Sequence, residues 1–221
     1  MLFRSGVDVS ALEFGGIRFY PDELRDLAIA WVALGVAFAI FILDPPISPA
    51  LIDAISSPDF LAIFLLSMVT VGVGFLLHEL AHKVVAVRFG QIPAFRADYG
   101  MLALCIGAAL ANFLFAAPGA VYHRGRITER QNGLVAIAGP LTNVLLAAIF
   151  LPFVFLGGFL GSVGEFGVLI NTVLAAFNMI PFGPLDGRKV KDWNLAVFGV
   201  TLVGTVGLAA LALLNIGFPS V

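Results

Sequence analysis

The sequence predicts an all-α polytopic membrane protein with five or six transmembrane segments, depending on whether one apolar segment is re-entrant. Of its 221 residues, 60% are apolar and only 12% are charged, and the mean hydropathy is +1.04. An average soluble domain is about half apolar and about a quarter charged. The chain therefore has too little charge to cover a globular surface, which excludes a soluble enzyme. Its apolar content is too high for a disordered chain.

Charge and cysteine content exclude further classes. The net charge is −2 with both signs mixed, so the chain has no basic surface for nucleic acid. Its single cysteine, Cys105, excludes an intrachain disulfide and a cysteine-based zinc cluster. The first 26 residues are too mixed in charge for a signal peptide. We expect residues 1–26 to form a cytoplasmic N-terminal segment and residues 27–221 to form a single membrane-embedded domain.

Uncharged stretches mark the candidate spans, because a charge in hydrocarbon costs several kcal/mol. Each of six stretches can contain a helix of about 20 residues. The second continues in a helical pattern to Arg88, and a connector with Pro45, Pro46 and Pro49 precedes it. The fourth predicts a helix over about 134–156 followed by a glycine-rich loop. The stretches are 27–43, 60–77, 99–122, 131–164, 166–185 and 193–221.

The distribution of basic residues predicts the topology. The twelve Lys and Arg residues lie in four groups, and the connectors 44–59 and 157–166 contain none. Such residues concentrate on the cytoplasmic side of a membrane. All twelve lie on that side if segment 99–122 enters the membrane without crossing it. We therefore expect five crossings, a cytoplasmic N-terminus and a re-entrant or interfacial segment 99–122 packed by the site described next.

Two of the three histidines, His78 and His82, lie four residues apart at the end of the second uncharged stretch. Positions i and i+4 share one face of a helix, so both imidazoles can reach one Zn²⁺ at about 2.0–2.1 Å. Glu79 completes a His-Glu-x-x-His pattern, in which the carboxylate takes a proton from the attacking water and passes it to the leaving amine. The alternative is an incidental polar cluster, which would be costly to bury without a metal.

A third ligand is expected downstream, because catalytic zinc usually has three protein ligands and one open position. Asp186 is favoured because it ends an apolar segment broken by prolines and glycines. Broken backbone occurs at membrane depth where it is buried in protein or lines a wet cavity. The alternative is an aspartate that merely ends a helix. Glu165 is expected in the glycine-rich loop, and three other acids are expected to be solvated: Asp98, Glu129 and Asp192.

Three motifs, in this order, make the sequence similar to the site-2 protease family of zinc intramembrane metalloproteases. The first is His-Glu-x-x-His at 78–82 on a transmembrane helix. The second, at 138–143, resembles the family's AGPxxN, and the third, at 178–187, resembles its N-x-x-P…LDG segment. The resemblance covers about residues 60–195, which we take as the core of the domain. Arg188 is a departure, because the family often has a second glycine there, and we expect no PDZ domain of the kind that larger members carry.

The resemblance implies an enzyme that cleaves a peptide bond within or beside a transmembrane helix of another protein, usually a membrane-tethered regulator. It implies one Zn²⁺ per chain, with His78, His82 and Asp186 as ligands and Glu79 as the base. Asn178 and Pro181 fall where the family has residues near the substrate chain. The lipid bilayer is then a second partner, and the plasma membrane of a prokaryote is the expected location.

Several alternatives stay open at this point. Asn143 is expected either to contact the substrate or its oxyanion, or simply to hydrogen-bond between helices. Gly139 and Pro140 either shape the site or permit close helix packing and a kink. The broken strip 178–184 is a candidate surface for an extended substrate. Two rival functions are a membrane carrier, in which the same ligands bind a passing metal ion, and a zinc-binding homologue without catalysis.

Overall fold

The computed structural model describes residues 11–44, 47–48, 50–113 and 119–217. Residues 1–10 of the predicted N-terminal segment, three connector prolines (Pro45, Pro46 and Pro49) and residues 218–221 lie outside the described part. In chain order, the described elements are β1 (Leu12–Phe14), β2 (Ile17–Phe19), α1 (Pro21–Leu43), α2 (Ala50–Ile55), α3 (Pro58–Ser67), α4 (Val73–Arg88), β3 (Ile92–Ala97), α5 (Tyr99–Leu110), β4 (Gly119–Arg124), α6 (Glu129–Phe150), α7 (Gly158–Asn178), α8 (Asp186–Trp193) and α9 (Leu195–Asn215).

Five helices among the described residues are long and apolar enough to cross a membrane, which confirms the predicted fold class. They are α1, the continuous helix Pro58–Arg88 formed by α3 and α4, the helix Glu129–Phe155 that extends α6, and then α7 and α9. Helix α1 begins inside the predicted segment 1–26. Proline is favoured in a first helical turn, and the Glu23 carboxylate there accepts a hydrogen bond from the Tyr20 backbone amide.

The predicted glycine-rich loop around Glu165 is wrong, because α7 covers this region and Glu165 is an exposed residue within the helix. Three glycines let α7 pack closely against the segment that precedes it. A Cβ atom at Gly161 would meet the Leu156 carbonyl, and one at Gly167 would meet the Phe150 ring. Gly164 faces the Phe153–Val154 backbone in the same way. The glycines therefore permit close packing between α7 and the helical segment that precedes it, and they do not form a loop.

Of segment 99–122, the structure describes residues 99–113 and 119–122, and these contain no helix long enough to cross a membrane. Its helix, α5, has only 12 residues, whereas a span needs about 20. Strands β3 and β4 pair antiparallel, with Ala97 opposite Gly119, so the segment starts and ends at the same place. Helix α5 runs beside α1, since the Tyr99 hydroxyl donates to Asp26 at 2.7 Å and Ala109 packs with Ile40. The re-entrant or interfacial position of this segment in a membrane stays a prediction.

Helix α4 lies in the interior of the bundle and packs against α1, α6, α7 and the β3–β4 sheet. A π-helical turn, Met68–Gly72, joins it to α3, and such turns often occur near functional sites. The Trp31 indole on α1 donates to the Met68 carbonyl at 2.9 Å. Gly72 leaves the space that this indole occupies. These contacts set the rotation of α4, which presents one face to α6 and α7.

A buried ion pair joins α1 to α4 at one end of the bundle. The Lys83 ammonium lies 2.5 and 2.6 Å from the two oxygens of the Glu23 carboxylate, and both residues are at most 1% exposed. The same carboxylate accepts a hydrogen bond from the Phe95 backbone amide of β3 at 3.0 Å. Glu23 on α1 therefore bonds to both α4, through Lys83, and strand β3, through the Phe95 amide.

We expect Lys83→Met to lower the free energy of unfolding by about 3–5 kcal/mol, because it leaves the buried Glu23 charge without its partner. The double variant Lys83→Met, Glu23→Gln should lose less, since glutamine is neutral and still accepts from the Phe95 amide. Denaturant unfolding in detergent micelles measures both. Arg18→Met, which breaks an exposed pair with Glu13, is the control and should cost about 0–1 kcal/mol. Equal losses for Lys83→Met and Arg18→Met would contradict this account.

Cysteine labelling tests the orientation, which stays a prediction. In a Cys105→Ala background, Arg126→Cys should be shielded from an impermeant external reagent in intact cells, because basic loops stay cytoplasmic. Gly157→Cys should react, since Gly157 is exposed in the connector that contains no basic residue. Position 161 is unsuitable because a Cβ atom there would meet the Leu156 carbonyl. External labelling at 126 without permeabilisation would refute the predicted orientation.

Candidate metal centre

Three side chains converge at the junction of α4 and α8. The Nε2 atoms of His78 and His82 lie 3.0 Å apart. The Asp186 Oδ2 atom lies 3.3 Å from the first and 3.1 Å from the second. All three residues are buried, with 5–7% of their surface exposed. The structure thus brings together the three residues that the sequence predicts as ligands, and these form a group that could bind a metal ion.

The outer hydrogen bonds of the two imidazoles fit a metal site. His78 Nδ1 donates to the Asn143 side-chain oxygen at 2.6 Å, and His82 Nδ1 donates to the Val135 carbonyl at 2.7 Å. Each Nε2 atom therefore presents a lone pair, and these lone pairs face each other and the Asp186 carboxylate. Three electron-pair donors this close repel unless a cation lies among them. Ligands of tetrahedral zinc at 2.0–2.1 Å are about 3.3 Å apart, so the donor set suits zinc.

The backbone around Asp186 places its carboxylate at the histidines. Helix α7 ends at Asn178, and α8 begins at Asp186 after a turn in which Gly183 has a φ of +58°. A Cβ atom at Gly187 would meet the Met179 backbone, so only glycine lets α8 start this close to the end of α7. The Asp186 carboxylate therefore lies within 3.3 Å of both Nε2 atoms, where it can complete a ligand set.

Gly139 on α6 gives the two imidazoles their space. A Cβ atom there would lie 2.5–2.6 Å from ring atoms of His78 and His82, including both Nε2 atoms. Gly139 was expected either to shape the site or to permit close helix packing, and the structure shows that it shapes the site. Its motif neighbour Asn143 is fully buried and hydrogen-bonds to groups on α4 and α7. Hydrogen bonding between helices was one of the two expectations for Asn143.

Glu79 lies beside the converged ligands, and one of its carboxylate oxygens has no partner among the described residues. The residue is 8% exposed, and its Oε2 atom has no hydrogen bond within the part of the chain that the structure describes. It lines a cavity of about 130 Å³ together with His78, His82 and Asp186. A buried carboxylate oxygen without a partner is costly, so this atom is available for an incoming water or substrate.

Of the two residues predicted to lie near the substrate, Asn178 and Pro181, only one lines this cavity. Asn178 lines it and donates from Nδ2 to the Leu174 carbonyl of its own helix at 3.0 Å. Pro181 is exposed and is not among the lining residues, whereas Pro184 is. The structure therefore brings Asn178 to the site and leaves Pro181 outside the cavity.

Two components of the site were not predicted from the sequence. Asn171 on α7 is fully buried and accepts a hydrogen bond from Asn143. A lone amide in the middle of an apolar span was the available signal, since such side chains usually hydrogen-bond to another helix. Strand β4 contributes Gly119, Ala120 and Val121 to the cavity wall. Nothing in the sequence of segment 99–122 indicated a strand.

Comparisons with known proteins agree with this donor set. The chain is 38% identical over 196 residues to a Methanocaldococcus jannaschii protein named "Putative zinc metalloprotease MJ0611", covering 85% of this chain and 94% of that protein. It is 34% identical over 148 residues to the Bacillus subtilis protein named "Putative zinc metalloprotease YwhC", covering 57% of this chain and 67% of that protein. The chain belongs to this zinc metalloprotease family. No family model and no solved structure matches it.

We expect Gly139→Ala to weaken zinc binding by this metalloprotease by at least about tenfold, a loss typical of disturbed ligand positions. The added Cβ atom would displace the imidazole nitrogens of His78 and His82. Competition with a chromophoric chelator measures the affinity. The control is Gly199→Ala on α9, where a Cβ atom would meet nothing within 4 Å. Wild-type affinity in Gly139→Ala would show that the glycine is not needed at the site.

Proposed function

We propose that the protein is an intramembrane zinc endopeptidase of the site-2 protease type. Its substrate would be a membrane protein, cut at a peptide bond within or beside a transmembrane helix. The observation that carries this proposal is the buried, unpartnered carboxylate oxygen of Glu79 in one cavity with His78, His82 and Asp186. This arrangement combines a metal-ligand set with a base, and the family relationship supports zinc and proteolysis.

Four residues of the cavity have assigned parts in the proposed reaction. Bound by His78, His82 and Asp186, zinc would supply a Lewis acid for activation of water and of the scissile carbonyl. The Glu79 carboxylate accepts a proton from the attacking water and later returns it to the leaving amine nitrogen. The open Glu79 Oε2 atom supports this role, because a base must be within hydrogen-bond reach of the proton that it removes.

The depth of the site supports a substrate that arrives through the membrane. His78 lies ten residues before the end of the apolar helix Pro58–Arg88, which is about 15 Å along the axis at 1.5 Å per residue. Four candidate membrane spans, α1, Pro58–Arg88, Glu129–Phe155 and α7, contribute residues to the cavity wall, together with β4 and the start of α8. With the N-terminus in the cytoplasm of a prokaryotic cell, the metal would lie toward the inner leaflet of the plasma membrane.

A helical substrate must become extended before cleavage, because its carbonyls are otherwise held in helical hydrogen bonds. Two surfaces beside the cavity suit an extended chain. Strand β4 lines the cavity, and its pairing with β3 uses only one of its edges among the described residues. The strip 178–184 contributes its two end residues, Asn178 and Pro184, to the lining of the same cavity. Strand addition to such surfaces uses main-chain hydrogen bonds and accepts many sequences.

We expect Glu79→Gln to keep one zinc per chain and to lose peptide cleavage by on the order of 10²-fold or more, because glutamine cannot accept the proton. His78→Ala should lose zinc as well as activity. Elemental analysis of the purified protein gives the stoichiometry, and a library of tagged transmembrane segments gives the cleavage rate. The matched control is Glu165→Gln, an exposed glutamate on α7, which should leave both unchanged.

The outcomes separate the protease from its rivals. Near wild-type cleavage by Glu79→Gln would contradict the role of this residue as the base. Wild-type protein that binds zinc but cleaves no transmembrane segment, with or without added zinc, would contradict the proposal and favour a carrier or a non-catalytic homologue. A carrier needs no base, so its transport should survive Glu79→Gln.

A further inference from the structure

A row of hydrogen-bonded amides connects His78 to the interior of α7. His78 Nδ1 donates to Asn143 Oδ1 at 2.6 Å. Asn143 Nδ2 donates to Asn171 Oδ1 at 2.9 Å and also to the Gly74 carbonyl at 3.2 Å. Asn171 Nδ2 in turn donates to the Gly167 carbonyl at 2.9 Å. The row thus crosses α4, α6 and α7 and ends on backbone groups.

The direction of every bond in this row follows from its backbone end. The Gly167 carbonyl can only accept, so Asn171 must turn its NH₂ group toward it and its oxygen toward Asn143. The Gly74 carbonyl and the Asn171 oxygen likewise accept only, and they occupy both protons of the Asn143 NH₂ group. The Asn143 oxygen is then left to accept a hydrogen bond from His78. Because this oxygen only accepts, the Nδ1 atom of His78 must carry the proton, and the Nε2 atom of His78 is free to bind the metal.

Burial makes this arrangement rigid. Asn143 and Asn171 are both 0% exposed, so water does not compete for their hydrogen bonds. A flip of either amide would set two oxygens or two NH groups against each other. A Cβ atom at Gly74 would lie 2.6 Å from the Asn171 oxygen, so α4 and α7 contact each other at this amide. The position of Asn171 is therefore coupled to the helix that carries His78.

We propose that Asn171 is a positioning residue for the metal centre, which acts through Asn143 to hold His78 in the Nδ1-protonated tautomer and in the ring orientation needed for metal binding. This inference rests on the proposed zinc site, and its direct observable is metal affinity rather than proteolysis. His82 has no such relay, because its Nδ1 atom donates directly to a backbone carbonyl. Partners of this outer kind typically change metal affinity 10–100-fold when they are replaced.

The test measures the zinc dissociation constant by chelator competition in purified, detergent-solubilised protein. Asn171→Leu, which keeps the side-chain shape without its hydrogen bonds, should weaken zinc binding by about tenfold, and Asn143→Leu should weaken it more. If Asn171 acts through Asn143, the double variant should bind zinc as weakly as Asn143→Leu alone. Thr172→Val is the matched control, since the buried Thr172 hydroxyl bonds only to carbonyls of its own helix and affinity should not change.

A second measurement observes the relay itself. The chain has three histidines, so proton–nitrogen spectra of zinc-loaded, ¹⁵N-histidine-labelled protein are simple. Wild type should show ring NH signals from both His78 and His82 that exchange slowly with solvent. In Asn171→Leu, the His78 signal should exchange faster while the His82 signal is unchanged. If Asn171→Leu does not fold, Asn171→Ser provides the same comparison, because its short hydroxyl cannot reach Asn143.

Several outcomes would overturn the inference. Wild-type affinity and an unchanged His78 signal in Asn171→Leu would show that Asn171 does not act on the metal site. Additive losses in the double variant would show a general structural role instead. Failure of wild type to bind zinc would contradict both this inference and the proposed function. Zinc binding without proteolysis would contradict the proposed function alone, because the affinity comparison would still apply.

Discussion

A polar group inside an apolar helical bundle has no water to bond with, so it must find a partner in the protein. Most of this structure follows from that constraint. The Glu23 carboxylate has Lys83 and a backbone amide, and the Asn171 amide has partners on both sides. Three buried side-chain oxygens have no hydrogen-bond partner within the described chain: Ser67 Oγ, Glu79 Oε2 and Gln91 Oε1. Of these three residues, Glu79 is the one that lines the cavity with the metal-ligand candidates, where the proposed chemistry needs an open oxygen.

Glycine determines how closely the elements approach at the centre. Gly139 makes room for the imidazoles, Gly74 for the Asn171 amide, and Gly187 for the start of α8 against α7. At each of these positions a methyl group would collide with a site residue or with the backbone that carries one. Small residues usually serve close helix packing in membranes. Here the same property sets the distances among three metal-ligand candidates, two on α4 and one on α8.

The family relationship and the geometry support each other from independent directions. Relatives in an archaeon and a bacterium carry the name of zinc metalloproteases, and the donor set in this chain suits zinc by its chemistry alone. What this structure adds is the surroundings of the site. The ligands lie among apolar helices, and strand β4 of segment 99–122 lines the same cavity.

The sequence by itself determined the features that depend on composition or on neighbouring positions: the membrane class, the approximate positions of most of the long apolar helices, and the shared face of His78 and His82. Asp186 was also predicted, from the broken helix around it. Only the tertiary structure decided that these groups meet, that Asn171 hydrogen-bonds to Asn143, and that Lys83 pairs with Glu23. These contacts join distant positions and depend on how each helix is rotated. A helix that is apolar nearly all round has no distinct face in its sequence, so packing alone sets that rotation.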